Sequence, residues 1–94
     1  MLHFVYLLKC KDNTLYCGYT NNLEKRISTH NSGKASKYTR GRLPVKLIYV
    51  EEHFSKSNAL KREYKIKQLS KYEKENLINQ NQNQLLLNTP PYNT

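Results

Sequence analysis

The chain has 94 residues and a formal net charge of +9, from 16 lysines and arginines against 7 aspartates and glutamates. It is long enough for one small domain, and no run of about 18 apolar residues is present to form a transmembrane helix. The N-terminus starts directly with a strand-like run without a signal-peptide pattern, so we expect a cytoplasmic location. The charge favours a polyanion as partner, with nucleic acid first.

The first half of the chain predicts a β-hairpin followed by a helix. Residues 2–10 carry apolar side chains on both faces, which is typical of a central strand. Turn residues follow at 11–14, where Asn13 tolerates a left-handed backbone, and residues 15–19 form the returning strand. Gly18 indicates a bulge or a close backbone approach. Asn21 is the predicted N-cap of a helix over residues 22–31, with Glu24 completing a capping box and Gly33 ending the helix.

The second half predicts one more strand and two helices. Residues 32–44 predict a basic loop, and residues 45–51 a third strand. Helices follow over residues 57–68 and 70–78, the last opened by Ser70 with Glu73 three residues later. The order β-β-α-β-α-α predicts an α+β fold with a small three-stranded sheet, antiparallel or mixed, flanked by helices.

Two regions are expected, a folded domain over residues 1–78 and a tail over residues 79–94. The tail alternates asparagine with glutamine over residues 79–84, contains no charged residue and continues with three leucines and two prolines. Such low complexity predicts a flexible or loosely docked segment. The leucines at 85–87 could cover an apolar patch on this domain or on a partner.

The first helix places Arg26 and His30 beside its buried stripe. Leu23 and Ile27 define the stripe, and at roughly 100° per residue both polar residues flank it on one side. Without other signals these would be a surface arginine and a boundary histidine. Tyr6 and Tyr16 favour a functional interpretation, because they share the sheet face towards this helix if the hairpin loop has an odd number of residues. That register separates Cys10 from Cys17, so a disulfide is not expected.

Glu63 lies close to the middle of the apolar direction of the next helix, which Ala59, Leu60, Tyr64 and Ile66 define. A buried carboxylate is unfavourable unless it is paired or binds a metal. An internal ion pair with a lysine or arginine, or a partly exposed rim position, would also explain it. The metal site is preferred, since Mg²⁺ takes one or two carboxylates and keeps several waters.

Several of these segments together resemble the signature of GIY-YIG nuclease domains, and most closely the small stand-alone bacterial members. The first are the triplets Phe4-Val5-Tyr6 and Tyr16-Cys17-Gly18, followed by Leu23-Glu24-Lys25-Arg26 with His30. Residues 37–45 and 59–64 add to the resemblance, which covers about residues 2–78. Phe4, Val5 and Cys17 depart from the name motif, and Asn76 is a candidate for a polar residue common after the metal helix.

The resemblance implies how the work of phosphodiester hydrolysis is divided. Glu63 would hold one Mg²⁺ or Mn²⁺ ion, and Arg26 would donate to the phosphate through its planar guanidinium. Tyr6, Tyr16 and His30 would position or deprotonate the attacking water. A free phenol has a pKa of about 10 and a free imidazole about 6.5, so His30 is the easier base, but which group accepts the proton stays open.

The basic loop is the predicted nucleic-acid clamp, because it joins positive charge to an aromatic ring on which a base can stack. Its residues are Lys34, Lys37, Tyr38, Arg40 and Arg42. The alternative is a solvated loop.

Three functions remain open. The first is a metal-dependent endonuclease acting on DNA, including branched or damaged DNA of the kind met in DNA repair, with RNA not excluded. The second is a nucleic-acid binding module with weak or no catalysis. The third is a partner-docking protein that uses the leucines of its tail.

Overall fold

The computed structural model describes the backbone of residues 2–88 and the side chains of residues 2–80. It contains three strands and four helices in the predicted order, with one short helix added. They are β1 (His3–Lys9), β2 (Leu15–Thr20), α1 (Leu23–Asn31), α2 (Lys37–Arg40), β3 (Lys46–His53), α3 (Lys56–Lys67) and α4 (Lys71–Asn88). The added helix is α2, which lies within the segment predicted as a loop. No helix in the described part of the chain combines the length and apolarity needed to span a membrane.

The sheet is antiparallel throughout, in the order β2-β1-β3. β1 is therefore the central strand, as its two apolar faces predicted. Five residues separate the paired ends Lys9 and Leu15 of the first hairpin. This odd number puts Tyr6 opposite Gly18, and Leu8 opposite Tyr16, so both tyrosines share one face. Asn13 takes the left-handed backbone that the turn requires, with φ of 68°.

Helices cover both faces of the sheet. On one face α1 packs against a cluster that contains Tyr6, Leu8, Cys10 and Val45. On the other face α3 and α4 contribute buried side chains to a second cluster, formed by Val5, Leu7, Cys17, Tyr49, Ala59, Ile66 and Ile78. Cys10 and Cys17 are free thiols that belong to different clusters, as the hairpin register predicted.

The N-cap of α1 is Asn22, whereas the sequence pattern had suggested Asn21. The Asn22 side chain accepts from the backbone N–H of Lys25 at 3.2 Å. The Thr20 hydroxyl at the end of β2 bonds both backbone groups of Asn22, at 3.0 and 3.2 Å, and holds it in extended conformation. The helix therefore begins one residue later, and Glu24 falls one position short of a capping box.

The last two helices also differ from the prediction at their ends. α3 is capped by Ser55, which accepts from the N–H of Asn58 at 3.0 Å, and begins before Ser57. α4 has the predicted capping box, with Ser70 and Glu73 bonded reciprocally at 2.9 and 3.1 Å. It runs to Asn88 and does not end near residue 78, because no glycine or proline occurs before Pro90. The leucines at 85–87 lie beyond the described side chains, and the division at residue 78 stays a prediction.

Candidate active site

The phenol of Tyr6 is the centre of the site and depends on a glycine. Tyr6 is fully buried on the central strand, and its ring passes directly over Gly18 on the neighbouring edge strand. A Cβ added at Gly18 would lie 2.4 Å from the Tyr6 Oη. The close backbone approach expected at Gly18 is therefore the space that the phenol occupies.

A chain of hydrogen bonds runs inward from this phenol. Tyr6 Oη lies 3.0 Å from His30 Nε2, and His30 Nδ1 lies 2.9 Å from Thr39 Oγ1. Thr39 donates to the Ser36 carbonyl at 3.4 Å. We assign the chain in one direction, so that His30 donates from Nδ1 to Thr39 and accepts from Tyr6 at Nε2. This direction gives every group one donor and one acceptor role and requires a neutral imidazole.

Burial and charge favour these protonation states. Burial lowers the pKa of His30, and the nearby charge of Arg26 lowers it further. Burial raises the pKa of Tyr6 against the opposing effects of the Arg26 hydrogen bond and charge. The charges of Tyr16 and Glu63 raise it as well. His30 is thus held neutral and Tyr6 protonated, whereas a tyrosine base would need the neighbouring positive charge to lower its pKa.

Arg26 links the buried chain to the open side of the site. Its Nε–H donates to Tyr6 Oη at 3.4 Å, and its side chain is half-buried. The contacts seen among the described residues engage only Nε. The two terminal nitrogens can therefore donate to a phosphate while Nε stays on the phenol.

Tyr16 stands at the boundary between the core and solvent. Its half-buried ring meets His30 edge-on, with centroids 5.2 Å apart, and stacks on Tyr38 with centroids 5.8 Å apart. Tyr6 and His30 are fully buried, whereas Tyr16 is not. Of the three candidate groups for handling the attacking water, Tyr16 is the accessible one.

Glu63 approaches the site from the layer of α3. Its side chain is 18% exposed and pairs with Lys67 at 3.3 Å. Ala59 and Ile66 are buried on the same helical face, but Leu60 and Tyr64 are 41% and 68% exposed. The prediction that Leu60 and Tyr64 lie on the apolar side of α3 was therefore wrong, because α3 contacts the sheet through the narrower row of positions 59, 63 and 66.

The structure shows both non-metal features that the sequence left open for Glu63, an ion pair and a rim position. Neither occupies the carboxylate fully, because its partner Lys67 is 51% exposed and sits on a flexible stem. Among the described residues no group of three or more His, Cys, Asp or Glu could hold a metal. A cation here would have Glu63 as its protein ligand and would take its other oxygens from phosphate and water, as Mg²⁺ commonly does.

Cys17 lies beside Glu63 without taking part in such a site. Its Sγ is 4.0 Å from the Glu63 carbonyl oxygen. Burial, followed by the charge of Glu63, raises the pKa of the Cys17 thiol to about 12. The thiol therefore stays protonated and is a poor nucleophile.

The predicted clamp residues divide into an exposed group and an engaged pair. Lys34, Lys37 and Arg40 are exposed on and before α2. Arg42 is engaged by Asp12 at 3.0 Å and by the Tyr38 carbonyl at 2.7 Å, and its guanidinium lies 4.1 Å from the centre of the Tyr38 ring. A base can stack on that face of Tyr38 only if Arg42 moves.

Sequence reasoning missed Thr39 and two lysines, Lys67 of α3 and Lys74 of α4, which line a cavity together with Tyr16. Thr39 is fully buried and orients His30, yet it sits among exposed basic residues in a segment predicted as loop. The helix of α2, capped by Ser36, turns it inward. Ser36 as an N-cap was the available signal for a helix here, but it does not give the burial of Thr39.

Residues 2–76 match the model of the GIY-YIG catalytic domain. The chain therefore belongs to the GIY-YIG family, and this membership implies a nuclease domain with a nucleic-acid substrate.

Similar proteins come from bacteria and archaea and are themselves small. The chain is 54% identical to a UPF0213 protein of Oceanobacillus iheyensis, over 81% of this chain and 88% of that protein. It is 53% identical to a UPF0213 protein of Natronomonas pharaonis, over 81% and 89%. The solution NMR structure of the UPF0213 protein BH0048 from Bacillus halodurans is 43% identical, with a TM-score of 0.56 over 98% of this chain and 90% of that one. These names state no activity.

Proposed function

We propose that the protein is a divalent-metal-dependent endonuclease that hydrolyses phosphodiester bonds in DNA, including branched or damaged DNA. The observation that carries the proposal is the contact of Arg26 and Tyr16 with a fully buried Tyr6–His30–Thr39 chain, on whose phenol the charge of Glu63 also acts. Arg26, Tyr16 and Glu63 each have a part of the side chain that the described contacts leave open. Each is also of the residue type that phosphodiester cleavage needs at that place.

The arginine binds the scissile phosphate. Its Nε is fixed by Tyr6, so its terminal nitrogens are presented in one orientation to two non-bridging oxygens. Charge that develops on phosphorus in the transition state meets a donor that is already in place. Preorganised donors of this kind need no rearrangement as the reaction proceeds.

Tyr16, as the phenolate, contacts the attacking water and accepts its proton to become the neutral phenol, and Tyr6 and His30 act as positioning residues. The proposal assigns Tyr16 this role because the other two are fully buried behind it. His30 meets the edge of the Tyr16 ring and the Tyr6 hydroxyl, so one neutral imidazole orients both phenols.

Glu63 holds one Mg²⁺ or Mn²⁺ ion, which when bound neutralises charge on the phosphate and on the leaving oxygen. The carboxylate is half-buried and its described partner is a single exposed lysine, so it can exchange that partner for a cation. Lys67 then becomes free to pair with the phosphate.

The test is a cleavage panel on single-stranded, duplex, nicked and branched DNA with Mg²⁺, Mn²⁺ or EDTA. Wild-type protein is expected to cut at least one form with metal and none in EDTA. Glu63→Gln and Arg26→Ala are expected to abolish cutting, whereas Glu24→Gln, an exposed glutamate of α1, should leave it unchanged. Cutting that survives both site changes would refute the assignment.

A second candidate function is a nucleic-acid binding module without catalysis. The Glu63–Lys67 ion pair favours it, because the carboxylate already has a positive partner. In that case DNA or RNA would bind as tightly in EDTA as with metal, and no form in the panel would be cut.

A further inference from the structure

A groove follows the free edge of β2 away from Tyr16. It consists of two adjoining cavities of about 360 and 230 Å³. Both are lined by Leu15, Tyr38 and Lys74, so they form one continuous depression. Tyr16, Cys17 and Lys67 line its end nearest the candidate active site, and Thr14 and Lys71 line the other end.

The walls of this groove come from the two opposite layers of the fold. Tyr16 and Tyr38 belong to the layer of α1 and α2, and their rings stack on each other. Cys17 faces the other layer, where Lys67 ends α3 and Lys71 and Lys74 begin α4. The edge strand β2 is thus the floor between an aromatic wall and a lysine wall.

The three lysines give the groove a positive charge directed inward. Lys67 reaches the Glu63 carboxylate, and the charges of Lys67 and Lys74 both act to lower the pKa of the buried Cys17 thiol. Glu63 is the one carboxylate seen at the near end among the described residues. Glu75 lines a neighbouring cavity of about 470 Å³ beyond Lys71. The excess over this stretch is therefore positive.

Lys71 and Lys74 flank the start of α4, whose backbone N–H groups are capped by Ser70 and by the Glu73 carboxylate. The helix end therefore adds no anion site of its own, and the attraction of the groove for an anion comes from its lysines.

We propose that this groove binds the backbone phosphates of the nucleic-acid strand on one side of the scissile phosphate. Lys67 lies nearest the reacting bond, and Lys74 and then Lys71 follow the strand outward, while Tyr16 and Tyr38 border its bases or sugars. This inference rests on the proposed function and adds to it the path of the substrate. The path differs from the predicted clamp, because its lysines come from α3 and α4.

The experiment measures binding without cleavage. Fluorescence anisotropy with a labelled DNA oligonucleotide in EDTA compares wild type, the pair Lys71→Ala/Lys74→Ala, and the control pair Lys61→Ala/Lys65→Ala. The control removes the same charge from exposed positions of α3 that lie roughly opposite Glu63 around the helix. The pair Lys71→Arg/Lys74→Arg keeps the charge.

The groove pair is expected to raise Kd about tenfold or more at low salt and to reduce the slope of log K against log salt by about 1.5 to 2, as expected for the loss of two phosphate contacts. The arginine pair should bind like wild type, and the control pair within about twofold of it. Equal losses for groove and control pairs, in protein that melts like wild type, would overturn the groove.

The outcome separates the groove from the nuclease proposal. If wild type cuts DNA but the groove and control pairs bind alike, the groove is wrong and the nuclease stands. If wild type never cuts but the groove pair alone weakens binding, the groove stands and the nuclease is wrong. Measuring the same variants in the Glu63→Gln background removes any contribution from Lys67 pairing with the carboxylate.

Discussion

Two regions of this molecule contain the same four residue types, a tyrosine, a histidine, an arginine and a glutamate, joined in different ways. In the first region Glu51 on β3 is the common acceptor. Arg62 donates to both of its oxygens at 2.9 and 3.0 Å, His53 lies 3.1 Å away and the Tyr49 hydroxyl donates to it. Burial would raise the pKa of Glu51, but hydrogen bonds from Arg62, Tyr49 and His53 outweigh burial and lower it.

In the second region, the candidate active site, the carboxylate stands apart from the other three groups. His30 and Arg26 each form a hydrogen bond with Tyr6, whereas Glu63 has a single lysine as partner. The two carboxylates are almost equally exposed, at 17% and 18%. Burial therefore does not distinguish them, but the number of partners does. In the Glu51 cluster, the carboxylate is surrounded by donors and connects β3 to α3; this is the saturated cluster. In the candidate active site, Arg26 and Glu63 keep atoms that can bind a ligand.

Consecutive residues of α3 serve the two regions. Arg62 reaches Glu51 on the edge strand β3, and Glu63 faces the side of β2, where its carbonyl lies beside Cys17. Since the sheet order places β2 and β3 at opposite edges, α3 spans the sheet between them.

The largest expected effect is a reciprocal pair of substitutions. Glu63→Gln should reduce cleavage on the order of 10³-fold, as loss of electrostatic stabilisation commonly does, with little change in Tm. Glu51→Gln should lower the free energy of unfolding by about 1–2 kcal/mol, or Tm by roughly 4–16 °C. The reason is that Arg62 loses its charged partner and water replaces that partner only in part. Cleavage assays well below Tm and thermal melts of both variants check this.

The comparison would fail if the two variants behaved alike. Loss of cutting by folded Glu51→Gln at low temperature would make the saturated cluster part of the site. A large fall in Tm for Glu63→Gln would make the Glu63–Lys67 pair a stabilising contact.

The fold could be predicted because its signals are local. Two apolar faces marked β1 as central, and the odd hairpin loop alone put Tyr6 and Tyr16 on one face. The proximity of Arg26 and His30 to these tyrosines followed from helical periodicity.

What could not be predicted depends on tertiary contacts. Thr39 faces inward only because four residues of α2 form a helix against α1, and a four-residue helix has too little periodicity to detect. Leu60 and Tyr64 were expected to be buried because the pattern gives the apolar direction of α3 but not the width of its contact. The number of partners at each carboxylate depends on how distant segments pack together, so a short stretch of sequence does not reveal it.

A smaller expected effect comes from the space above Gly18. Gly18→Ala would place a methyl group 2.4 Å from the Tyr6 hydroxyl, so the phenol must move and loosen its bonds to Arg26 and His30. Displacement of this size at a positioning group is expected to reduce the cleavage rate about 10²-fold. Gly41→Ala is the matched control, because its Cβ would meet nothing within 4 Å. Unchanged cleavage in Gly18→Ala would remove Tyr6 from the mechanism.

The smallest expected effect is a difference between His30 and His53 in how they contribute to the pH dependence of stability. Burial, and then the charge of Arg26, lower the pKa of His30 in the fold, whereas in the unfolded chain a histidine titrates near about 6.5. As pH falls below that value the unfolded state takes up a proton that the fold does not, so stability falls until the pH reaches the folded pKa. At higher pH His30 is neutral in both states and contributes no slope.

Thermal melts between about pH 7.5 and 5 should therefore fall less steeply for His30→Gln than for wild type, by no more than the slope of one proton. Slopes are compared and not absolute Tm values, because the substitution also removes the bonds to Tyr6 and Thr39. His53→Gln controls for the loss of a histidine outside the site. An identical slope in His30→Gln would mean that His30 takes up its proton in the fold as readily as in the unfolded chain. A protonated imidazole donates from both nitrogens, so Nε2 would then donate to Tyr6 and its assignment as an acceptor would be wrong.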